Sequence, residues 1–442
     1  ESDETTSQKL LIAGDDATAV QFRLYSAGNP VPLSDALPIL ENMGIRALGG
    51  HPYRITRRDG ETFWINDFHI VRKDGREFDA SLATPFEDAF GAVQDGSAEN
   101  DGFNQLVLVA GFNWRVVSMF RAYFRYLKQI RLRYSENYVI DTMIRNPDLV
   151  REIGGLFDAL FRPELKKRPL KAIGNRIESM LDAVQTLDEE RIFGALIDVM
   201  GATLRTNFYQ LRDGKPGHYI SFKLNSAAIP RIPEPAPMFE IFVCSPRVEG
   251  VHLRGGEVAR GGLRWSERPE DFRTEVLGLV KAQRVKNAVI VPVGSKGGFV
   301  AKQLPVEGDR EQIQAEVIAC YKDFIGGMLD LTDNLVDGSV VPPEGVVRRD
   351  SDDPYLVVAA DKGTATFSDI DNRIAVERGF WLGDAFASGG SAGYELKKMG
   401  ITSRGAWESV LRHFREVGKD IQNLDFTVVG IGDMGGDVFG NG

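Results

Sequence analysis

Residues 259–298 open with Ala259-Arg260-Gly261-Gly262-Leu263-Arg264 and close with Pro292-Val293-Gly294-Ser295-Lys296-Gly297-Gly298. Between these stretches lie a helical run from Glu275 to Arg284, then Lys286, then the apolar strand text Ala288 to Val291. Strand text alternating with helical text, punctuated by glycine, predicts an α/β domain. The glycine pairs 261–262 and 297–298 let the backbone approach a ligand or take positive φ with no Cβ in the way. Four of the cations in this stretch stand close to the glycines or the strand text between them: Arg260, Arg264, Lys286 and Lys296. Close cations lower one another's proton affinity, and partial burial lowers a lysine further. A lysine neutral near working pH can act as a base or orient a water while its neighbours hold carboxylates. Exposed charges beside ordinary turns would give the same text, and spacing alone does not choose between the readings.

Three later stretches bear on the choice. Leu356 to Ala360 is an apolar strand that delivers Asp361, followed by Lys362-Gly363-Thr364. α/β enzymes place catalytic groups at such strand ends, and an Asp there also serves as an N-cap or turn residue. Ile401-Thr402-Ser403-Arg404-Gly405-Ala406 leads into the helical run Trp407 to Val417, where Thr402 or Ser403 suits an N-cap. Phe426 to Val429 reads as a strand running into Gly430-Ile431-Gly432-Asp433-Met434-Gly435-Gly436. That is the G-x-G-x-x-G pattern whose turn brings a pyrophosphate onto a helix N-terminus. The acidic residue expected about 20 positions further on would lie past Gly442, so the chain stops inside the motif's own helix.

Upstream, Gln21 to Ser26, Ile45 to Ile55 and Phe63 to Val71 read as strands, with a helix from Leu33 to Met43 closed by Gly44. An α+β unit over 20–95 resembles the small ligand-sensing ACT fold, and other ferredoxin-like units share its pattern. Residues 1–19 are expected to be a leader or the tail of a preceding domain. Gln94 to Gly102 suits a linker or exposed loop. Val116, Val117, Phe120, Phe124, Leu127 and Ile130 form an amphipathic helix, interleaved with Arg115, Arg121, Arg125 and Lys128 on what we expect to be a solvated face. With helical text at Asp148 to Phe161 and Asp188 to Met200, residues 96–203 read as a helical connector. Tyr219 to Leu224 and Phe239 to Cys244 are strand-like, and Ile229 to Pro237 is a proline-rich loop.

The chain has 442 residues, 43% hydrophobic and 26% charged, a size that suggests about three domains. No run approaches the roughly 18 apolar residues of a membrane span. A net charge of −10 argues against binding nucleic acid through its phosphates. Two cysteines, Cys244 and Cys320, make no disulfide framework, which suits a reducing cytoplasm. The five histidines show no ligand spacing, so no metal is expected.

Taken together, the order GGLR, helix, lysine, apolar strand, P-x-G-x-K-G-G resembles the substrate-site signature of the glutamate dehydrogenases. Two departures, an arginine at 260 where the small hexameric enzymes carry lysine and a shorter stretch from Lys286 to Lys296, fit the large NAD-specific bacterial branch. The resemblance implies an α/β substrate domain of the amino-acid dehydrogenase type over 204–424 and the start of a Rossmann domain over 425–442. It implies oxidative deamination of L-glutamate to 2-oxoglutarate with NAD as hydride acceptor; a homo-oligomer is expected, and the N-terminal unit is read either as an amino-acid effector site or as a packing or spacer domain. Lys296 would be the catalytic lysine and Asp361 the proton shuttle. Lys286 would hold the α-carboxylate and Arg260 the side-chain carboxylate, with Gly262 and Arg264 beside them. Thr402 resembles the T-G-R-G threonine near the nicotinamide, and Gly430, Gly432, Asp433, Met434 and Gly435 would hold the dinucleotide. Because the motif is cut at Gly442, the chain by itself is expected not to bind NAD productively. Two alternatives stand beside this: a leucine, valine or phenylalanine dehydrogenase, which would need an apolar pocket where Arg260 puts a cation, and a non-catalytic amino-acid-sensing module.

Overall fold

A computed structural model describes residues 6–12, 19–286, 293–364, 366–391 and 399–429, with 285 and 286 as backbone. The chain divides into two compact units, residues 1–356 and 357–442, so the division falls inside the stretch 204–424.

The first unit begins with strands β1 (Thr6–Leu11) and β2 (Ala19–Ala27), helix α1 (Leu33–Asn42), strands β3 (Ile45–Thr56) and β4 (Thr62–Arg72), and helix α2 (Ala83–Gln94). The strands form an antiparallel sheet in the order β1-β2-β4-β3. Phe22 of β2 meets Phe86 and Phe90 of α2 edge-on, at 5.4 and 4.9 Å, which fixes the helix against the sheet. Gly44 takes φ +81° after α1, as its place at the helix end predicts. Thr6–Leu11, expected within a leader, instead pairs residue for residue with β2 and completes the sheet.

Six helices follow: α3 (Leu106–Ala110), α4 (Trp114–Gln129), α5 (Glu136–Arg145), α6 (Pro147–Phe161), α7 (Leu170–Leu181) and α8 (Leu187–Ala202). The expectation of a solvated basic face on α4 is overturned. Arg121 is only 2% exposed and its Nε donates to Asp101 at 2.6 Å. Arg125 lies 3.4 Å from Glu99 and 3.3 Å from Glu136, and Arg115 donates to the carbonyl of Gly217 at 2.6 Å. Arg121 and Arg125 face inward because carboxylates from other segments meet them, which makes their burial tolerable, and Arg115 is met by backbone carbonyls. The 94–102 stretch is therefore no free linker: Glu99 also takes Lys302 at 2.8 Å. Burial pushes the Glu99 carboxyl upward, but Lys302 and Arg121 outweigh it and hold the group below the usual range.

Strands β5 (Thr203–Thr206), β8 (Ile220–Asn225), β9 (Phe239–Cys244), β10 (Val248–Arg254), β11 (Arg260–Trp265) and β12 (Ser295–Ala301) build the main sheet of this unit. Between β5 and β8 sits a two-residue ribbon, β6 (Leu211–Arg212) with β7 (Lys215–Pro216). The strands run in the order β11-β12-β10-β9-β8-β5. Among these six strands β11 and β12 pair in parallel and the other neighbours pair antiparallel, so the sheet is mixed. Helices α4 and α9 (Phe272–Lys286) cover one face, where Tyr123 stacks on Phe222 at 4.1 Å. Helix α10 (Arg310–Leu329) covers the other, with Phe324 5.9 Å from Phe299. A short hairpin, β13 (Asn334–Val336) with β14 (Ser339–Val341), follows α10.

The second unit contains β15 (Val357–Ala360), α11 (Ser368–Glu377) and α12 (Ile401–Glu416). Val358 bridges in parallel to Ala387. Helix α12 starts at Ile401, six residues before the expected Trp407, and its N-cap is Gly400 at φ +59°. Thr402 and Ser403 thus lie inside its first turn, and neither is the cap. Phe426 packs on Phe414 and Trp407 at 5.1 and 6.3 Å. Phe426 to Val429, expected as a strand, joins no ladder, and Val429 is 89% exposed. A parallel strand needs a neighbour to supply its hydrogen bonds, and among the described residues none lies beside it. Ala288 to Val291 falls outside the described residues. No described helix is long and apolar enough to cross a membrane.

Candidate active site

The two glycine-rich stretches meet as adjacent parallel strands. Leu263 of β11 is level with Gly297 of β12, Arg264 with Gly298, and Arg260 with Gly294 through a further parallel bridge. Lys296 is therefore level with Gly262, and side chains in one such row share a face of the sheet. Helix α9 runs antiparallel across that face. Its Val276 lies where a Cβ on Gly298 would fall (2.7 Å), and its Gln283 where one on Gly294 would fall (2.2 Å). Helix α9 thus ends, at Lys286, near the level where β11 and β12 begin.

The glycines have a steric reason that differs from the expected one. None of Gly261, Gly262, Gly297 and Gly298 has positive φ. A Cβ on Gly261 would sit 1.6 Å from the carbonyl oxygen of Ser295, and one on Gly297 would sit 2.4 Å from Leu263 Cδ2. Close passage of β11, β12 and α9 demands glycine at 261, 297 and 298 before any ligand is considered.

Of the four cations, Arg260 is exposed at the start of β11, where its carbonyl accepts from Gln283 Nε2 at 3.2 Å. Lys296 is half-buried and pairs across to Leu253, which in turn pairs to Glu240. Arg264 donates to Glu275 at 3.0 Å, and Ser266 donates to the same carboxylate at 2.6 Å, tying β11 to the first turn of α9. Burial pushes the Glu275 carboxyl upward, but the hydrogen bonds from Ser266 and Arg264 hold it below its usual range. Lys286 ends α9, and its side chain lies outside the described residues.

In the second unit, Asp361 follows β15 directly. It opens a turn in which the Thr364 amide donates to its carbonyl at 3.2 Å, its own amide donates to Thr364 Oγ1 at 3.0 Å, and Gly363 takes φ +82°. Its Oδ1 accepts from the Lys362 amide at 2.7 Å. Asp361 is thus a turn residue at the end of a strand. Thr402 is exposed in the first turn of α12. Gly430, Gly432, Asp433, Met434 and Gly435 lie outside the described residues.

This geometry meets a family pattern along the whole chain. The model for the catalytic domain of bacterial NAD-glutamate dehydrogenase matches residues 176–442, which is more than half of the sequence. The chain belongs to the bacterial NAD-glutamate dehydrogenase family. Glutamate dehydrogenase helical motif 3 matches residues 98–163, and the glutamate dehydrogenase ACT3 domain matches 9–83. The ACT3 match takes in part of β1, in keeping with its place in the sheet. Proteins named NAD-specific glutamate dehydrogenase from Pseudomonas aeruginosa, Halomonas elongata and Mycobacterium tuberculosis are 59%, 54% and 51% identical over 95%, 97% and 99% of the chain. The chain spans about a quarter of the length of these relatives, 26% to 28%.

Within this glutamate dehydrogenase-family chain, sequence reasoning missed a buried ion network on the sheet face opposite Lys296. Arg205 of β5 holds Asp333 at 2.8 Å and Asp350 at 2.6 Å; Lys223 of β8 holds Asp353 at 2.7 Å; Arg254 of β10 also grips Asp353. Burial raises the Asp353 carboxyl, but Arg254 and Lys223 more than offset it and keep the group ionised below the normal range. The network clamps residues 333–353 onto the main sheet. Next to Arg254 sits His252, 1% exposed, with neither ring nitrogen hydrogen-bonded among the described residues. Burial, helped by Arg254, takes its imidazole down to about 3, so it stays neutral. The signal for the network was the acidic run Asp350-Ser351-Asp352-Asp353, which reads as an exposed loop until its partners are known.

Proposed function

We propose that this chain carries the substrate site of an enzyme that deaminates L-glutamate oxidatively to 2-oxoglutarate and ammonium. The observation that carries the reading is the parallel register of β11 and β12. It brings Arg260 and Lys296, far apart in sequence, to one end of one sheet face, where α9 also ends at Lys286.

In this reading Arg260 takes the side-chain carboxylate, which a guanidinium can hold with two parallel hydrogen bonds. Lys286 takes the α-carboxylate, with Gly262 leaving room at the same level. Lys296 orients the water that attacks the imino carbon, and Asp361 moves protons to and from the amine nitrogen. The water oxygen becomes the keto oxygen, and the nitrogen leaves as ammonium. Arg264, engaged by Glu275, contributes by anchoring α9 and drops out of the direct substrate contacts. The relatives' names supply NAD as the hydride acceptor, and Thr402 with Gly430, Gly432, Asp433, Met434 and Gly435 would hold it as the start of a Rossmann domain. The wider reading includes a homo-oligomer, an amino-acid effector at the ACT-like unit and a cytoplasmic setting, the last supported by two buried free cysteines.

Calorimetric titration of the 442-residue chain with L-glutamate tests the carboxylate grip without the cofactor. Arg260→Gln should weaken glutamate at least tenfold while leaving any binding of leucine unchanged. Equal glutamate affinity in the substituted and parent chains would remove Arg260 from the site.

A further inference from the structure

A groove of about 1000 Å³ opens between the end of α4, the flank of α8 and the proline-rich loop that joins β8 to β9. That volume is at the upper end of the range of small-molecule sites, roughly 300–1,000 Å³. Its walls are apolar, with Leu127, Ile130, Ile229 and Pro233 among them. Its floor is the small-residue flank of α8 at Gly194 and Ala195, and a Cβ on Gly194 would meet nothing within 4 Å. Around the rim stand Arg131, Arg133, Arg191 and Arg231, against two acids, Glu190 and Asp198. Arg191 lies 3.5 Å from Asp188, and Arg131 acts, after Arg268, on the Asp271 carboxylate, whereas Arg133 and Arg231 have no carboxylate within ion-pair distance among the described residues.

Two of these arginines occupy backbone positions that select against them. At the end of α4 the Leu132 amide donates to the Leu127 carbonyl and the Arg131 amide to the Lys128 carbonyl, both at 2.9 Å. These bonds define a Schellman helix end, whose left-handed position usually goes to glycine; here it is Arg131, at φ +75°. In the loop, Ile229 to Ile232 form a turn closed by a 3.4 Å hydrogen bond, with Pro230 second and Arg231 third at φ +58°. The third position of such a turn with positive φ is likewise a glycine or asparagine place. Four described non-glycine residues have positive φ; two are aspartates in turns, and the two arginines both border this groove. Positive φ in a bulky residue costs backbone energy, and such positions cluster at active sites and ligand clamps.

We propose that this groove binds a small organic anion with a flat apolar body and a phosphate or paired carboxylates. The apolar body lies along Leu127, Ile130 and Ile229 over the Gly194 floor, and the anionic end meets Arg131, Arg133 and Arg231. Because the groove joins the helical connector to the loop before β9, its occupant would bridge two parts of the first unit that meet the catalytic sheet. This site is separate from the glutamate site and does not depend on it.

The test is binding of 2-naphthyl phosphate to the 442-residue chain, followed by naphthyl fluorescence and by calorimetry, with thermal unfolding measured alongside. Naphthalene-2,3-dicarboxylate in a parallel arm separates phosphate from carboxylate recognition, and inorganic phosphate reports the charged end alone. The parent chain should bind at least one naphthyl anion at least tenfold more tightly than phosphate. Arg131→Gly and Arg231→Gly should each weaken it tenfold or more while leaving the melting temperature equal or higher, since glycine relieves the backbone. Gly194→Leu, which fills open space on the floor, should abolish binding in a folded chain. L-glutamate affinity should not change in any of the three. No binding by the parent chain, or undiminished binding by both arginine variants and by Gly194→Leu, would overturn the proposal.

Discussion

Gly261 has no side chain because the Ser295 carbonyl occupies the place of its Cβ. The sequence showed a glycine pair beside cations, and from that alone a ligand and a neighbouring strand are equally good reasons for it. Only the parallel register distinguishes them, since the crowding atom belongs to a residue far away in the chain. Gly261→Ala should therefore cost about 3 kcal/mol of stability, the upper part of the overpacking range, read by urea unfolding; an unchanged midpoint would mean β11 can move off β12. His252 was legible only as a scattered histidine. Its imidazole is held near 3 in the folded chain, against an unfolded value of about 6.5. Between these values the unfolded chain binds a proton that the folded chain does not, so this group's share of stability is lost as pH falls from about 6.5 toward 3. That share amounts to at most about 1.4 kcal/mol per pH unit. His252→Gln should flatten the acid limb of the stability curve by about that slope, whereas parallel curves would contradict the buried neutral imidazole.

At the level of elements, periodicity recovered α1, β9 and the ends of α6 and α8 closely, because each is a local pattern of apolar residues. It misjudged the surroundings of α4. Arg115, Arg121 and Arg125 fall at solvent-like spacing, and their partners, the Gly217 carbonyl, Asp101 and Glu99, lie in other segments. The same blindness hid the clamp on residues 333–353, whose acids sit in a loop and whose bases sit on three strands. Asp353 serves Lys223 and Arg254 together, so Asp353→Ala leaves two buried cations short of a partner and should cost about 3–5 kcal/mol. Because its folded pKa is depressed, that contribution is present above the unfolded carboxylate value of about 3.9 and is lost as pH falls through the lower folded value. Urea titrations of parent and variant at pH 7 and pH 3 should show the gap narrowing at the lower pH. A constant gap would mean the carboxylate is not held ionised by its neighbours.

For the molecule as a whole, the order of motifs carried further than any single one. The lysine signature, the strand-end aspartate and the glycine fingerprint follow one another as the resemblance to the glutamate dehydrogenases requires, and the family match extends that agreement to the ACT-like and helical parts. The sequence revealed the ACT-like sheet except for its first strand, because β1 is recognisable only by the partner it pairs with. The two units at 356/357 were not legible either, since apolar strand text continues across that point. The central claim, that Arg260 and Lys296 form the working end of a glutamate site, is tested most directly by NADH formation in an enzyme of the relatives' full length that carries this segment. L-glutamate should be compared with leucine, valine and phenylalanine, with Lys296→Ala run beside the parent. Strong preference for glutamate is expected, with a fall of at least a thousandfold in turnover for Lys296→Ala, the upper part of the roughly 10²–10⁴ range of a positioned acid–base group. Turnover that survives that substitution, or a preference for leucine, would contradict the claim.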